Sequence, residues 1–117
     1  IAHDSHNIMI SRHNPDDIIN VFKILNEHKG GIASSLNGNY FSLPLPIGGL
    51  MTTEDALVVA SKYNKLQSFT KEILGSTLKA PFMTLSFMAL LVIPELKIGD
   101  KGLFNINKIE FVPIENI

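Results

Sequence analysis

Asn37-Gly38 sits between the apolar runs Ile32 to Leu36 and Asn39 to Leu45, and it constrains this chain more than any other dipeptide in it. A two-residue hairpin turn of type I′ needs positive φ at both central residues, and Asn-Gly meets that need at little steric cost. The spacing therefore predicts two antiparallel strands joined at 37–38. In the second strand Phe41, Leu43, Leu45 and Ile47 alternate with Tyr40, Ser42, Pro44 and Pro46. That is the period of a half-buried strand. Pro44 and Pro46 have no N–H for a ladder, which places the strand at an edge. Gly48-Gly49 then breaks the pattern.

The flanking segments read as helices. In Asn14-Pro15-Asp16-Asp17, Asn14 is a candidate cap and Pro15 fills the first helical position. The two carboxylates then face the positive end of the helix dipole. Ile18, Phe22 and Leu25, with Val21 beside them, form an apolar stripe, and Gly30-Gly31 stops it, so a helix is predicted over 15–29. Thr52 with Asp55 three residues later is close to a capping box. It predicts a second helix over 53–74, buried through Val59, Tyr63, Leu66 and Ile73 and ended by Gly75. Ile8-Met9-Ile10 reads as a short strand ending near Ser11-Arg12-His13.

Pro81 to Pro94 reads as a continuous buried strand or a bent pair of strands. Met83, Leu85, Phe87, Ala89, Leu91 and Ile93 would share one face, with Thr84 and Ser86 on the other. Gly99-Asp100-Lys101-Gly102 is a turn and Leu103 to Val112 a last strand. The order β-α-β-β-α-β-β implies an α+β domain: a two-layer sandwich with a mainly antiparallel sheet and both helices on one face. It is read as a single domain over residues 1–117.

Composition narrows the function. Apolar residues make up 45% of the 117 and charged residues 18%, which excludes intrinsic disorder. The net charge of −1 provides no electrostatic footprint, so neither nucleic acid nor a membrane is expected as a partner. Cysteine is absent, which removes disulfide scaffolds, Cys-ligated zinc, Fe–S clusters and thiol catalysis. The longest apolar stretch, Phe82 to Ile93, is too short to span a bilayer. The opening Ile1-Ala2-His3-Asp4 has neither an initiating Met nor a signal peptide. It reads as the interior of a longer, cytoplasmic protein, and the chain as an excised fragment.

The densest reactive chemistry is His3, Asp4, His6 and Asn7. Two imidazoles beside a carboxylate can bind a metal or move protons near neutral pH. In an extended chain Asp4 and His6 share one face while His3 and Asn7 share the other. All four converge only if the backbone turns there. The other reading is a polar loop whose His and Asp cap neighbouring backbone groups, and both stand. The glycine pairs at 30–31 and 48–49 allow close approach of a ligand or simply make turns; they match no dinucleotide or P-loop fingerprint. His13 and His28 fall at element ends, as solvated or capping groups. Thr84 and Ser86 either line a pocket or hydrogen-bond inside the sheet layer. The Met and Phe residues of Phe82 to Met88 read as core.

Longer strings carry a resemblance. HDSHNI (His3 to Ile8), LPLPIGGLM (Leu43 to Met51), PFMTLSFMALLVIPELKI (Pro81 to Ile98) and GDKGLFNINKIEFV (Gly99 to Val112) resemble the C-terminal domain of adenine deaminases, in that order and spacing. Gly48, Ala80, Leu91 and Asn105 depart from the pattern, where Ala, Asp, Pro and an acid are expected. The resemblance implies an amidohydrolase that hydrolyses adenine to hypoxanthine and ammonia in purine salvage. It implies an N-terminal barrel with a manganese or iron site, where a metal-bound hydroxide attacks the purine carbon bearing the amine. None of the barrel's metal ligands can be matched to this chain, so no residue here is assigned to the metal. This chain would be the accessory domain, inactive by itself, with adenine, the barrel and a homo-oligomer as its expected partners. His3 and Asp4 become candidate catalytic residues, and His6 and Asn7 candidate substrate-binding residues. Two alternatives stand beside this: a structural or oligomerisation module with no direct catalytic residue, and an independent sensor of purines.

Overall fold

The computed structural model describes residues 7–12 and 14–116. The hairpin forms where Asn-Gly requires it: β1 (Gly31–Leu36) pairs antiparallel with β2 (Asn39–Pro44). Asn37 and Gly38 take φ of 51° and 83°. Leu36 faces Asn39, Ser34 faces Phe41 and Ile32 faces Leu43. The Leu45 amide continues that series by donating to the Gly30 carbonyl. The even-numbered residues of β1 therefore hold the narrow, hydrogen-bonded positions. Pro44 faces Gly31 at a position without ladder bonds, so its missing N–H costs nothing. The backbone groups of Gly31, Ala33 and Ser35 point away from β2, towards the open edge of β1.

Helix α1 (Pro15–Glu27) begins as the sequence predicts, with the Asn14 side chain accepting the Asp16 amide at 3.0 Å. Its buried stripe differs from the prediction: Asp17, Val21 and Leu25 point inward, while Phe22 is exposed. The helix also stops two residues short of 29. The Gly30 amide bonds the Leu25 carbonyl and the Lys29 amide bonds that of Asn26, a Schellman ending with Lys29 at φ 59°.

Helix α2 (Ala56–Ser68) starts later than Thr53 because Asp55 outcompetes Thr52 as cap. The Asp55 carboxylate takes the amides of both Leu57 and Val58, whereas the Thr52 hydroxyl takes only that of Glu54. The helix runs into a π-helical turn over Phe69–Ile73. There the Thr70 hydroxyl donates to the Leu66 carbonyl at 2.9 Å, and the Leu74 amide reaches back five residues to Phe69. Thr70 stays buried on the Leu66 face, four residues on, while the wider turn carries Ile73, predicted to be core, off that face and it is exposed.

The largest correction concerns Pro81 to Pro94, which is not a strand. Pro81–Phe87 forms helix α3 and turns follow it. Pro81 sits in the first turn, where its fixed φ suits a helix. The Thr84 hydroxyl donates to the Ala80 carbonyl and the Ser86 hydroxyl to that of Met83, so both polar groups are satisfied within the helix. Apolar alternation alone does not separate a short buried strand from a helix. Residues Ile8 to Ile10, also expected as a strand, take no regular structure.

After the turns, β3 (Leu96–Gly99), β4 (Gly102–Asn105) and β5 (Glu110–Phe111) form an antiparallel sheet in that order. The predicted strand from Leu103 to Val112 is thus two strands. The Asn105 side chain accepts the Lys108 amide, which reverses the chain between them. A short 3-10 turn, Ile114–Asn116, follows.

The α+β class holds and, among the described residues, every strand pair is antiparallel, but the strands there divide into sheets of two and three. The two long helices do not share a face. On the hairpin, the Asp17 carboxylate of α1 accepts from the Ser35 hydroxyl, whereas Thr70, beyond α2, bonds Ser34. Adjacent strand residues point to opposite faces. The core joins Leu43, Leu45 and Val59, with Ile32 and Tyr63 packed against them. Gly30 lies against Gly49 so closely that a Cβ on Gly30 would overlap the Gly49 Cα. The glycine pairs therefore serve backbone approach to one another. Among the described residues no helix is long and apolar enough to cross a membrane.

Candidate functional site

A cavity of about 650 Å³ opens beside the free edge of β1. Residues of α1, the π-helical turn, α3 and the segment Asn7 to Arg12 complete its walls. Val21, Leu25, Leu74, Phe82 and Leu85 supply apolar surface. Asn7, Arg12, Ser34, Ser35, Thr84 and Ser86 supply polar groups. Thr84 and Ser86 thus do line a pocket, from a helix rather than a strand.

The polar wall is organised around Asp17, which is only 2% exposed. Its Oδ2 accepts Arg12 Nη2 at 3.0 Å and Nε at 3.3 Å. Its Oδ1 accepts the Asn37 amide at 3.2 Å and the Ser35 hydroxyl at 3.5 Å. A buried carboxylate is costly unless its lone pairs are matched, and here both oxygens are engaged and a cation lies beside them. Ser34 Oγ lies 2.7 Å from Thr70 Oγ1. The single Thr70 proton goes to the Leu66 carbonyl, so Ser34 is the donor in that pair.

Of the sequence-derived site residues, Asn7 lies at the cavity and is exposed. His3, Asp4 and His6 lie outside the described residues, as does His13. His28 caps the C-terminus of α1, and its Nδ1 is buried without a hydrogen-bond partner among the described residues. No group of three or more His, Cys, Asp or Glu among the described residues is arranged to hold a metal ion. Among the described residues the donors of this cavity, hydroxyls, one guanidinium and one engaged carboxylate, do not fit a manganese or iron centre.

Sequence reading missed the Arg12–Asp17 pair and the Ser34–Thr70 pair. The first spans a helix cap at i, i+5, a spacing with no side-chain signature, and the second joins residues 36 apart. The only hint was a carboxylate at position 17, which also suited the helix dipole.

The fold and cavity define an α+β domain with a mixed polar and apolar recess. The family model for the adenine deaminase C-terminal domain matches residues 1–110. The chain is 51% identical to the adenine deaminase of Methanosarcina acetivorans over 114 residues, 97% of this chain and 20% of that protein. It is 46% identical to that of Borreliella burgdorferi over 112 residues, 96% of this chain and 20% of that one. It is 45% identical to that of Geobacillus kaustophilus over 118 residues, 100% of this chain and 20% of that one. The chain thus spans about a fifth of the length of the curated relatives it matches. No solved structure matches it. The chain belongs to the adenine deaminase C-terminal domain family.

Proposed function

We propose that this chain is the C-terminal domain of a cytoplasmic enzyme that hydrolyses adenine to hypoxanthine and ammonia in purine salvage. In this reading the segment His3 to Asn7 completes an active site whose manganese or iron is held by a barrel elsewhere in the polypeptide. The observation that carries it is Asn7, the last residue of the His/Asp motif, at the mouth of a 650 Å³ cavity in a chain 51% identical to an adenine deaminase. His3 and Asp4 exchange protons with the purine ring nitrogen and the leaving amine, work suited to an imidazole near neutral pH. His6 and Asn7 orient the base.

The test is His3→Ala and Asp4→Ala in the full-length enzyme. Loss of a general acid or base lowers turnover by about 10²–10⁴-fold, with a smaller change in melting temperature. Near-normal turnover with a lower melting temperature in both variants refutes the catalytic role. A structural role has its own support in the exposed Leu57, Phe41 and Ile73, which surround one groove with α2. Such a face is suited to docking on the barrel or on a second copy in a homo-oligomer. Burial of Leu57 in the full-length enzyme, read by protection of a Leu57→Cys variant from a thiol reagent, supports that role.

A further inference from the structure

We infer that the free edge of β1 is a docking edge, where an extended apolar segment from the rest of the parent polypeptide lies as a third strand and fills the cavity. The inference rests on the reading that this chain is the C-terminal domain of a longer protein. The N–H and C=O groups of Ala33 and Ser35 point away from β2 and meet no hydrogen-bond partner among the described residues. They open into a recess: Gly31 to Ser35 all line the cavity, and Ser34 and Ser35 are buried. Backbone groups in such a place are matched in nearly every folded protein. The two edges of the hairpin also differ. The outer edge of β2 is interrupted by Pro44, which cannot donate to a further strand. The sequence of β1, Gly31 to Leu36, carries no proline, no charge and no bulge, the devices that keep an exposed edge from pairing.

The walls of the cavity continue the layers on either side of the hairpin. Helix α1, which meets the Ser35 face, supplies Val21 and Leu25. On the Ser34 face, Leu74 follows the π-helical turn that holds Thr70, and Phe82 of α3 packs on Tyr63 of α2 with ring centroids 6.2 Å apart. A strand beside β1 sends alternate side chains to these two apolar walls, so its sequence is a run of apolar residues rather than an alternating one. The five edge residues allow about 16 Å of pairing, the length of an ordinary strand. The source is the same polypeptide. In the relatives about four-fifths of the chain lies outside the matched stretch. The family is that of a C-terminal domain, so the remaining chain precedes it. That chain joins six residues ahead of Asn7, which itself lines the cavity, and six residues reach at most about 20 Å. A segment tethered at that range acts at an effective concentration on the order of mM, above that of a separate protein.

The experiment uses the full-length enzyme. A photoreactive benzoyl-phenylalanine replaces Leu78 or Met88, half-exposed residues that line the cavity, with exposed Ile109 as the control position outside it. Cross-links are mapped by mass spectrometry over a hundredfold range of protein concentration. Positions 78 and 88, and not 109, should cross-link to one apolar segment ahead of residue 1, with a yield that dilution does not change. Hydrogen exchange resolved to single amides gives the second readout. Ile32, Ser34 and Leu36 are bonded to β2 in any case, so Ala33 and Ser35 report the third strand. Both should exchange on the order of 10²-fold more slowly than in a free chain. Ala33→Pro removes an edge donor and leaves the β1–β2 ladder alone, so it should abolish the cross-links and release the Ser35 amide. If that variant does not fold, exchange in the parent decides. Free exchange at Ala33 and Ser35, cross-links confined to residues 1–117, or cross-links to a second copy that fade on dilution overturn the inference. Free exchange in a protein that releases ammonia from adenine sinks the docking edge alone. A docked edge in a protein that releases none sinks the deaminase reading alone.

Discussion

Gly30 gives the sharpest test of how the hairpin layer is assembled. Its φ is +116°, and a Cβ built on it would overlap the Cα of Gly49 in the opposing loop. Gly49 has φ +77°, but its own Cβ would lie 3.8 Å from the Gly30 Cα, an ordinary contact. Gly38, at φ +83° in the hairpin turn, would have nothing within 4 Å. Alanine at 49 or 38 therefore adds backbone strain of about 1–2 kcal/mol. Reduced freedom of the unfolded chain offsets about 0.4–1 kcal/mol of that. Alanine at 30 carries the same terms and also forces two backbones apart, an overpacking cost of about 1–3 kcal/mol. Each of the other two should thus destabilise by about 0–1.6 kcal/mol and Gly30→Ala by about 1–4.6 kcal/mol, about 2 kcal/mol more at the middle of the ranges. Urea titration followed by circular dichroism measures all three, read at equal m-values so that midpoints compare directly. The reasoning is refuted if Gly30→Ala is no less stable than Gly49→Ala.

Two further outcomes are expected. Leu66→Ala, at a fully buried position, should cost about 3–5 kcal/mol in the same titration, while Leu57→Ala, at 81% exposure, should cost less than about 0.5 kcal/mol. The 117-residue chain by itself should release no ammonia from adenine when manganese or iron is supplied. Metal-dependent turnover by protein freed of host deaminase would show that this chain holds the metal itself and refute its assignment to a barrel elsewhere in the polypeptide.

Some of the candidate site was legible in the sequence and some was not. Asn7 belonged to a visibly reactive cluster, and the cavity reaches it. Thr84 and Ser86 stood out as hydroxyls in an apolar run, and both line that cavity. Arg12 and Asp17 did not stand out, because each had a sufficient local explanation: a charged residue near a strand end, and an acid in the first turn of a helix. Their pairing joins a segment without regular structure to the first turn of α1, which no periodicity encodes.

The sequence by itself determined the features whose physics is local. Asn37-Gly38 fixed the turn and, through it, the register that leaves Pro44 at a position needing no N–H. Asn14-Pro15 fixed the start of α1. These outcomes depend on φ preferences and on hydrogen bonds within a few residues. The tertiary structure decided the rest. Pro81–Phe87 is a helix although its alternation suits a strand, since apolar content says that a segment is buried and not which period buries it. Asp17 heads the buried stripe of α1 because Arg12, Ser35 and Asn37 converge on it. Gly30 meets Gly49 because two loops distant in sequence pack backbone to backbone. Each of these rests on contacts between separate segments, and such contacts exist only once the chain has closed on itself.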